Sequence, residues 1–70
     1  LARGTVKWFS GEKGFGFVEG EDGESLLVHF TEIDGDGFRS LDPGAKVEFE
    51  AAKDDLGRLV ASNVREIAYG

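Results

Sequence analysis

Lys13-Gly14-Phe15-Gly16-Phe17-Val18 is the stretch whose reading decides the fold. As a strand it sends alternate side chains to opposite faces, so Phe15 and Phe17 share one face and Gly14, Gly16 and Val18 the other. The two glycines place nothing bulky beside Phe15, and its ring is expected to stand open. Exposed rings on a small domain mark a surface that something covers. A basic residue followed by small, aromatic, small, aromatic and aliphatic residues is the pattern of a sheet that stacks unpaired bases.

Outward from this stretch the punctuation is dense. Gly11, Gly20, Gly23, Gly35, Gly37, Pro43-Gly44 and Gly57 cut the chain into short β-rich runs. Strands are expected near Gly4–Ser10, Phe15–Glu19, Ser25–His29, Lys46–Ala52 and Leu59–Glu66. In the fourth, Val47, Phe49 and Ala51 alternate with Lys46, Glu48 and Glu50, the period of a half-buried strand. Glu21-Asp22-Gly23-Glu24 and Asp54-Asp55-Leu56-Gly57 read as hairpin loops, and Thr31-Glu32-Ile33, after the third strand, as a segment that caps one helical turn. Five antiparallel strands in 70 residues cannot build two covered sheets. Closure into a small all-β barrel, one domain over residues 1–70, removes the open edges.

Composition narrows the function. Without cysteine there are no disulfides or thiolate metal sites, and a single histidine cannot anchor zinc. No apolar run is long enough to span a membrane and no leader is evident, so a cytoplasmic protein without a membrane partner is expected. Eight Lys and Arg against 14 Asp and Glu leave a net charge of −6, the wrong sign for gripping phosphates by bulk electrostatics. The distribution offsets this: Lys7 and Lys13 sit among Trp8, Phe9, Phe15 and Phe17, while the acids crowd Glu19–Glu24, Asp34–Asp36 and Asp54-Asp55.

Val6-Lys7-Trp8-Phe9 cannot put Trp8 and Phe9 on one face of a regular strand. One of them packs inward or a bulge turns the strand, and the neighbouring Lys7 argues for Trp8 outside and Phe9 within. Along the third strand Leu26 and Val28 face the core, which leaves Leu27 and His29 beside Phe15 and Phe17. There the imidazole of His29 can stack and donate a hydrogen bond. Phe38 lies in the loop Gly35-Asp36-Gly37-Phe38-Arg39, with Arg39 placed to reach a phosphate or to stack. Asp34-x-Asp36 is not a calcium loop, because the position of its terminal glutamate holds Ala45. Gly11-x-x-Gly14-x-Gly16 leads into a strand, not a helix, so it is no dinucleotide loop. No hydroxyl has a base at a recognisable spacing, and no catalytic residue, cofactor or small-molecule substrate is expected. An aromatic patch that docks a partner protein is the competing reading, supported by Leu27 and the net charge. A core of this size cannot enclose all eight aromatic residues, so a purely structural barrel is excluded.

Lys7-Trp8-Phe9, Lys13 to Val18, Val28-His29-Phe30, Gly35-x-Gly37-Phe38-Arg39, Val47-x-Phe49-Glu50 and Asn63-Val64 together resemble the bacterial cold-shock proteins, whose domain also occurs in Y-box proteins. The resemblance spans essentially the whole chain. It implies a five-stranded antiparallel oligonucleotide-binding (OB-fold) barrel that binds single-stranded RNA and DNA with little sequence preference beyond pyrimidine-rich stretches. It also implies a role as an RNA chaperone in stress response and in regulating transcription and translation. Carried over by position, the binding face comprises Lys7, Trp8, Lys13, Phe15, Phe17, His29, Phe30 and Phe38, with Phe9 a less exposed companion. Leu27, Arg39 and Arg58 complete the expected set, in a monomer. The chain departs from the family pattern at Ser10, usually Asn, at Ser25, often Asp, and at Leu27, commonly Phe. The loop before Asn63 lacks the usual Gly-Pro and is one residue longer.

Overall fold

The computed structural model describes residues 1–34 and 40–67. Five strands, β1 (Ala2–Ser10), β2 (Phe15–Gly20), β3 (Ser25–His29), β4 (Lys46–Lys53) and β5 (Leu59–Glu66), close into a barrel in the order β1-β2-β3-β5-β4. A single 3₁₀ turn, Phe30–Glu32, follows β3. Its N-cap is His29, whose ring accepts from the Thr31 N–H, and its C-cap is Ile33, so the turn starts one residue before the expected segment. The strand bounds expected from the sequence hold to within two residues, because the glycine turns leave little freedom in where each run starts.

Four of the joints are antiparallel and one, β3 against β5, is parallel. The all-β five-stranded barrel expected from the sequence is present, and a parity argument explains its one parallel joint. Each antiparallel joint reverses strand direction, and an odd number of reversals around a ring does not return to the starting direction. A closed ring of five strands therefore needs a parallel joint, and it falls between two strands that are not consecutive in the chain.

The core is aliphatic with one ring. Val18, Leu26, Val28, Val47 and Val64 are fully buried and Phe49 is 1% exposed. Each such side chain contributes about 1.5–3 kcal/mol relative to leaving it in water. β2 and β3 reach this core by strict alternation, and β4 does so at Val47 and Phe49, but Ala51, expected on the same face, is exposed. β1 and β5 do not alternate in this way. The β1–β2 register passes from Val6↔Val18 to Trp8↔Phe17, so Lys7 and Trp8 together oppose Phe17. That bulge turns both outward and swings Phe9 in against the core. In β5 the register against β4 slips between Glu48 and Glu50, beside Asn63 with φ of 51°. Asn tolerates this left-handed conformation, and the slip puts Ala61 and Val64 inside, three residues apart.

Gly16 faces the interior beneath the β1 bulge. A Cβ there would lie 2.3 Å from the Trp8 carbonyl oxygen and 2.7 Å from the Phe9 Cα. Its role thus differs from the one expected: it does not leave open space beside Phe15 but lets β1 press close to β2. Gly14, with φ of 82°, precedes the strand and donates to the Ser10 carbonyl at 2.7 Å while accepting from the Phe30 N–H at 2.9 Å.

Candidate nucleic-acid interface

The outer face of β1, β2 and β3 carries two cross-strand rows. Trp8 lies opposite Phe17, and Phe17 opposite Leu27; Ser10 lies opposite Phe15, and Phe15 opposite His29. The Trp8 ring centroid is 5.6 Å from Phe15 at 62° and 5.6 Å from Phe17 at 57°. The first contact is edge-type and the second tilted, so none of the three rings is stacked face to face on another. His29 and Phe30 continue the ribbon with centroids 4.8 Å apart. Trp8 is 43% exposed and Phe30 38%.

Beside the rings runs an open groove of about 620 Å³, lined by Phe15, Phe17, Ser25, Leu27, His29, Arg58 and Leu59. A shallower hollow formed by Lys7, Trp8, Phe17 and Ser25 joins it across Phe17 and Ser25. Lys7 owes its place on this face to the bulge. Lys13 stands exposed in the turn before β2, where its N–H donates to the Ser10 Oγ at 3.1 Å. The serine in place of the family's usual Asn thus builds the turn that carries Lys13. Phe38 and Arg39 lie outside the described residues.

His29 is positioned by its own backbone neighbourhood. Its Nδ1 takes the Thr31 N–H at 3.4 Å and lies 2.9 Å from the Thr31 Oγ1. The neutral tautomer assigned by that pattern keeps its proton on Nε2, leaving the far edge of the ring a donor. Arg58 is steered differently. Asp54 accepts the N–H groups of Leu56 and Arg58 at 2.9 Å each, and its Oδ2 lies 2.8 Å from the Arg58 Nε. The hydrogen bond from the Arg58 backbone N–H, the largest cause, holds the Asp54 carboxyl below its usual range, aided by the guanidinium. Arg58 therefore reaches the groove as a tethered, half-neutralised cation. On β1, β4 and β5, Arg3 and Arg65 share the Glu48 carboxylate at 3.4 and 3.1 Å.

Leu59, 36% exposed, also lines the groove and is absent from the expected set. Its signal lies in the fold: Leu27 pairs with Val60 across the parallel joint, which carries the adjacent Leu59 to the groove wall.

Residues 2–67 match the model of the 'Cold-shock' DNA-binding domain. The chain belongs to the cold-shock domain family. It is 50% identical to cold shock protein CspC of Bacillus subtilis over 62 residues, 89% of this chain and 94% of that protein. With cold shock-like protein CspLB of Listeria monocytogenes the identity is 56% over 57 residues, 81% of this chain and 86% of the relative. A solved structure of drosophila Unr superposes on 96% of this chain with a TM-score of 0.75 and 31% identity. The present chain spans about a quarter (26%) of that longer one. Cold-shock domains are a nucleic-acid-binding family, and among the described residues the exposed rings of Trp8 and Phe30 lie on or beside the barrel face built by β1 to β3.

Proposed function

We propose that this cold-shock domain binds single-stranded RNA and DNA by stacking successive bases on Trp8, Phe15, Phe17, His29 and Phe30, with a lean towards pyrimidines. The observation that carries the reading is the angled packing of Trp8 against Phe15 and Phe17 above an open apolar groove. Those rings pack on one another at steep angles and not face to face, which supports stacking of bases on them. Lys7, Lys13 and Arg58 border them and serve the phosphates, with Phe38 and Arg39 as further contacts. A duplex hides its base faces in its own stack, so it engages this surface only after opening. Each stacked base contributes about 1–3 kcal/mol.

Selective binding of the open strand supplies chaperone activity without ATP. At roughly 100 times its dissociation constant such a binder shifts a hairpin towards the melted state by about 2.7 kcal/mol. We assign the protein this role in the cytoplasm, as a monomer, in stress response and gene expression. No catalytic step is part of it.

Titration with heptathymidine and with a matched duplex, followed by the fluorescence of Trp8, tests the reading. Saturable quenching by the single strand alone is the expected result. A flat trace with both overturns it in favour of a protein-docking patch, for which the aliphatic pair Leu27 and Leu59 is the structural argument. Hairpin populations unchanged by saturating protein would remove the chaperone role while leaving the binding.

A further inference from the structure

Beyond His29 a second groove opens over the parallel joint. It measures about 200 Å³ and is lined by Leu27, Thr31, Glu32, Val60 and Ser62, with His29 forming the ridge it shares with the stacking groove. It exists because β3 and β5 pair sparsely: Leu27↔Val60 and the bridge Ile33↔Val64 are the register contacts across this joint.

The Glu32 carboxylate is fixed in this groove by β5. Its Oε1 accepts from the Ser62 Oγ at 3.0 Å and from the Asn63 N–H at 3.4 Å, the latter presented by the left-handed turn at Asn63. Among the described residues Oε2 accepts no hydrogen bond. The groove thus has an apolar wall, a partly buried carboxylate and direct continuity with the stacking face. A carboxylate repels phosphate and accepts only N–H or O–H donors. The part of a strand that matches it is a base edge bearing an exocyclic amine, as acidic side chains accept from the cytosine amine elsewhere. Thymine and uracil offer only the ring N3–H there, flanked on both sides by carbonyl oxygens that repel the carboxylate, so they match it less well.

We propose that this groove is a specificity subsite, in which a base leaving the stacked run at His29 turns its amino edge to Glu32. The inference rests on the single-strand reading above and deepens it: most of the face is indifferent to sequence, and one position in the bound strand favours cytosine, adenine or guanine over thymine or uracil.

Seven variants of heptathymidine, each with a single cytosine, test this against the parent strand by Trp8 quenching. One register is expected to bind about tenfold tighter than heptathymidine, the worth of one charge-assisted hydrogen bond. In Glu32→Gln, which keeps an acceptor for Ser62 and Asn63 but presents an amide with a donor, that preference is expected to vanish or invert. Thermal unfolding of the variant confirms that the β5 bracket survives, and Glu32→Asp supplies a second carboxylate for rescue of the preference. Equal or weaker binding of all seven cytosine strands overturns the inference and leaves the single-strand reading standing. A preference that persists undiminished in Glu32→Gln overturns it too, because another group then reads the base. Failure of heptathymidine itself to bind removes the parent reading and the subsite together.

Discussion

At the scale of the residue, neighbours on one strand divide between holding the barrel and meeting a ligand. Val18 and Leu26 form a buried pair, whereas Phe17 and Leu27, one position away on each strand, form a half-buried one on the outer face. Phe15→Ala and Phe17→Ala are therefore expected to weaken single-strand binding by about 1–3 kcal/mol each. They should cost less stability than Val28→Ala, as paired titrations and denaturant melts will show. In the proposed complex Leu27, which lines the groove, presses on a base without offering a ring. Leu27→Phe, opposite Phe17, is expected to tighten binding by about 1 kcal/mol, and an unchanged affinity in a folded variant would displace the proposed face. Gly16 answers to packing. In Gly16→Ala the added methyl meets backbone atoms of Trp8 and Phe9 that no side-chain rotation can move. The expected loss is about 1–3 kcal/mol, with a shifted Trp8 emission that reports the disturbed bulge.

At the scale of the element, β1 and the β4–β5 hairpin each break regularity to serve the face. The β1 bulge puts Lys7 and Trp8 on the same side, which no regular strand does. The hairpin loop is organised by Asp54, whose carboxylate gathers the Leu56 and Arg58 N–H groups and the Arg58 side chain. Because its folded pKa lies below the ordinary 3.8, its stabilisation is present above that pH and is lost as the pH falls through the lowered value. Asp54→Asn is expected to lose less stability than the parent between about pH 5 and pH 3, measured by urea unfolding at both ends. At neutral pH Asp54 stays ionised and Arg58 stays tethered, so binding through Arg58 carries no pH switch from this pair.

At the scale of the whole molecule, the proposed binding relies on stacking more than on charge. A net charge of −6 coexists with a face whose cations are Lys7, Lys13 and the half-neutralised Arg58, while Arg3 and Arg65 are engaged by Glu48. Three or four phosphate contacts give a slope of log K against log salt of only about −2 to −3 for a single strand. Titrations across a range of salt concentrations are expected to return that shallow slope. A value near −6 would mean that electrostatics drives the association after all.

Much of this was legible in the chain itself. Glycine punctuation and period-two alternation determined the strands, because turns need left-handed or crowded backbone and a half-covered strand needs one apolar face. That Trp8 and Phe9 cannot share a face of a regular strand left an inward ring or a bulge as the alternatives, of which the structure has the bulge. Alternation from Leu26 placed Leu27 and His29 on the outer face. Tertiary structure alone decided the parallel joint, which is a property of ring closure and of no single strand. It also decided the slip at Asn63, where local alternation fails, and the burial of Gly16 under a neighbouring backbone. Leu59 and Glu32 reach their grooves only because β5 comes to lie beside β3. That contact joins residues about 30 positions apart, and no local pattern of side chains encodes which strands will meet when a sheet closes on itself.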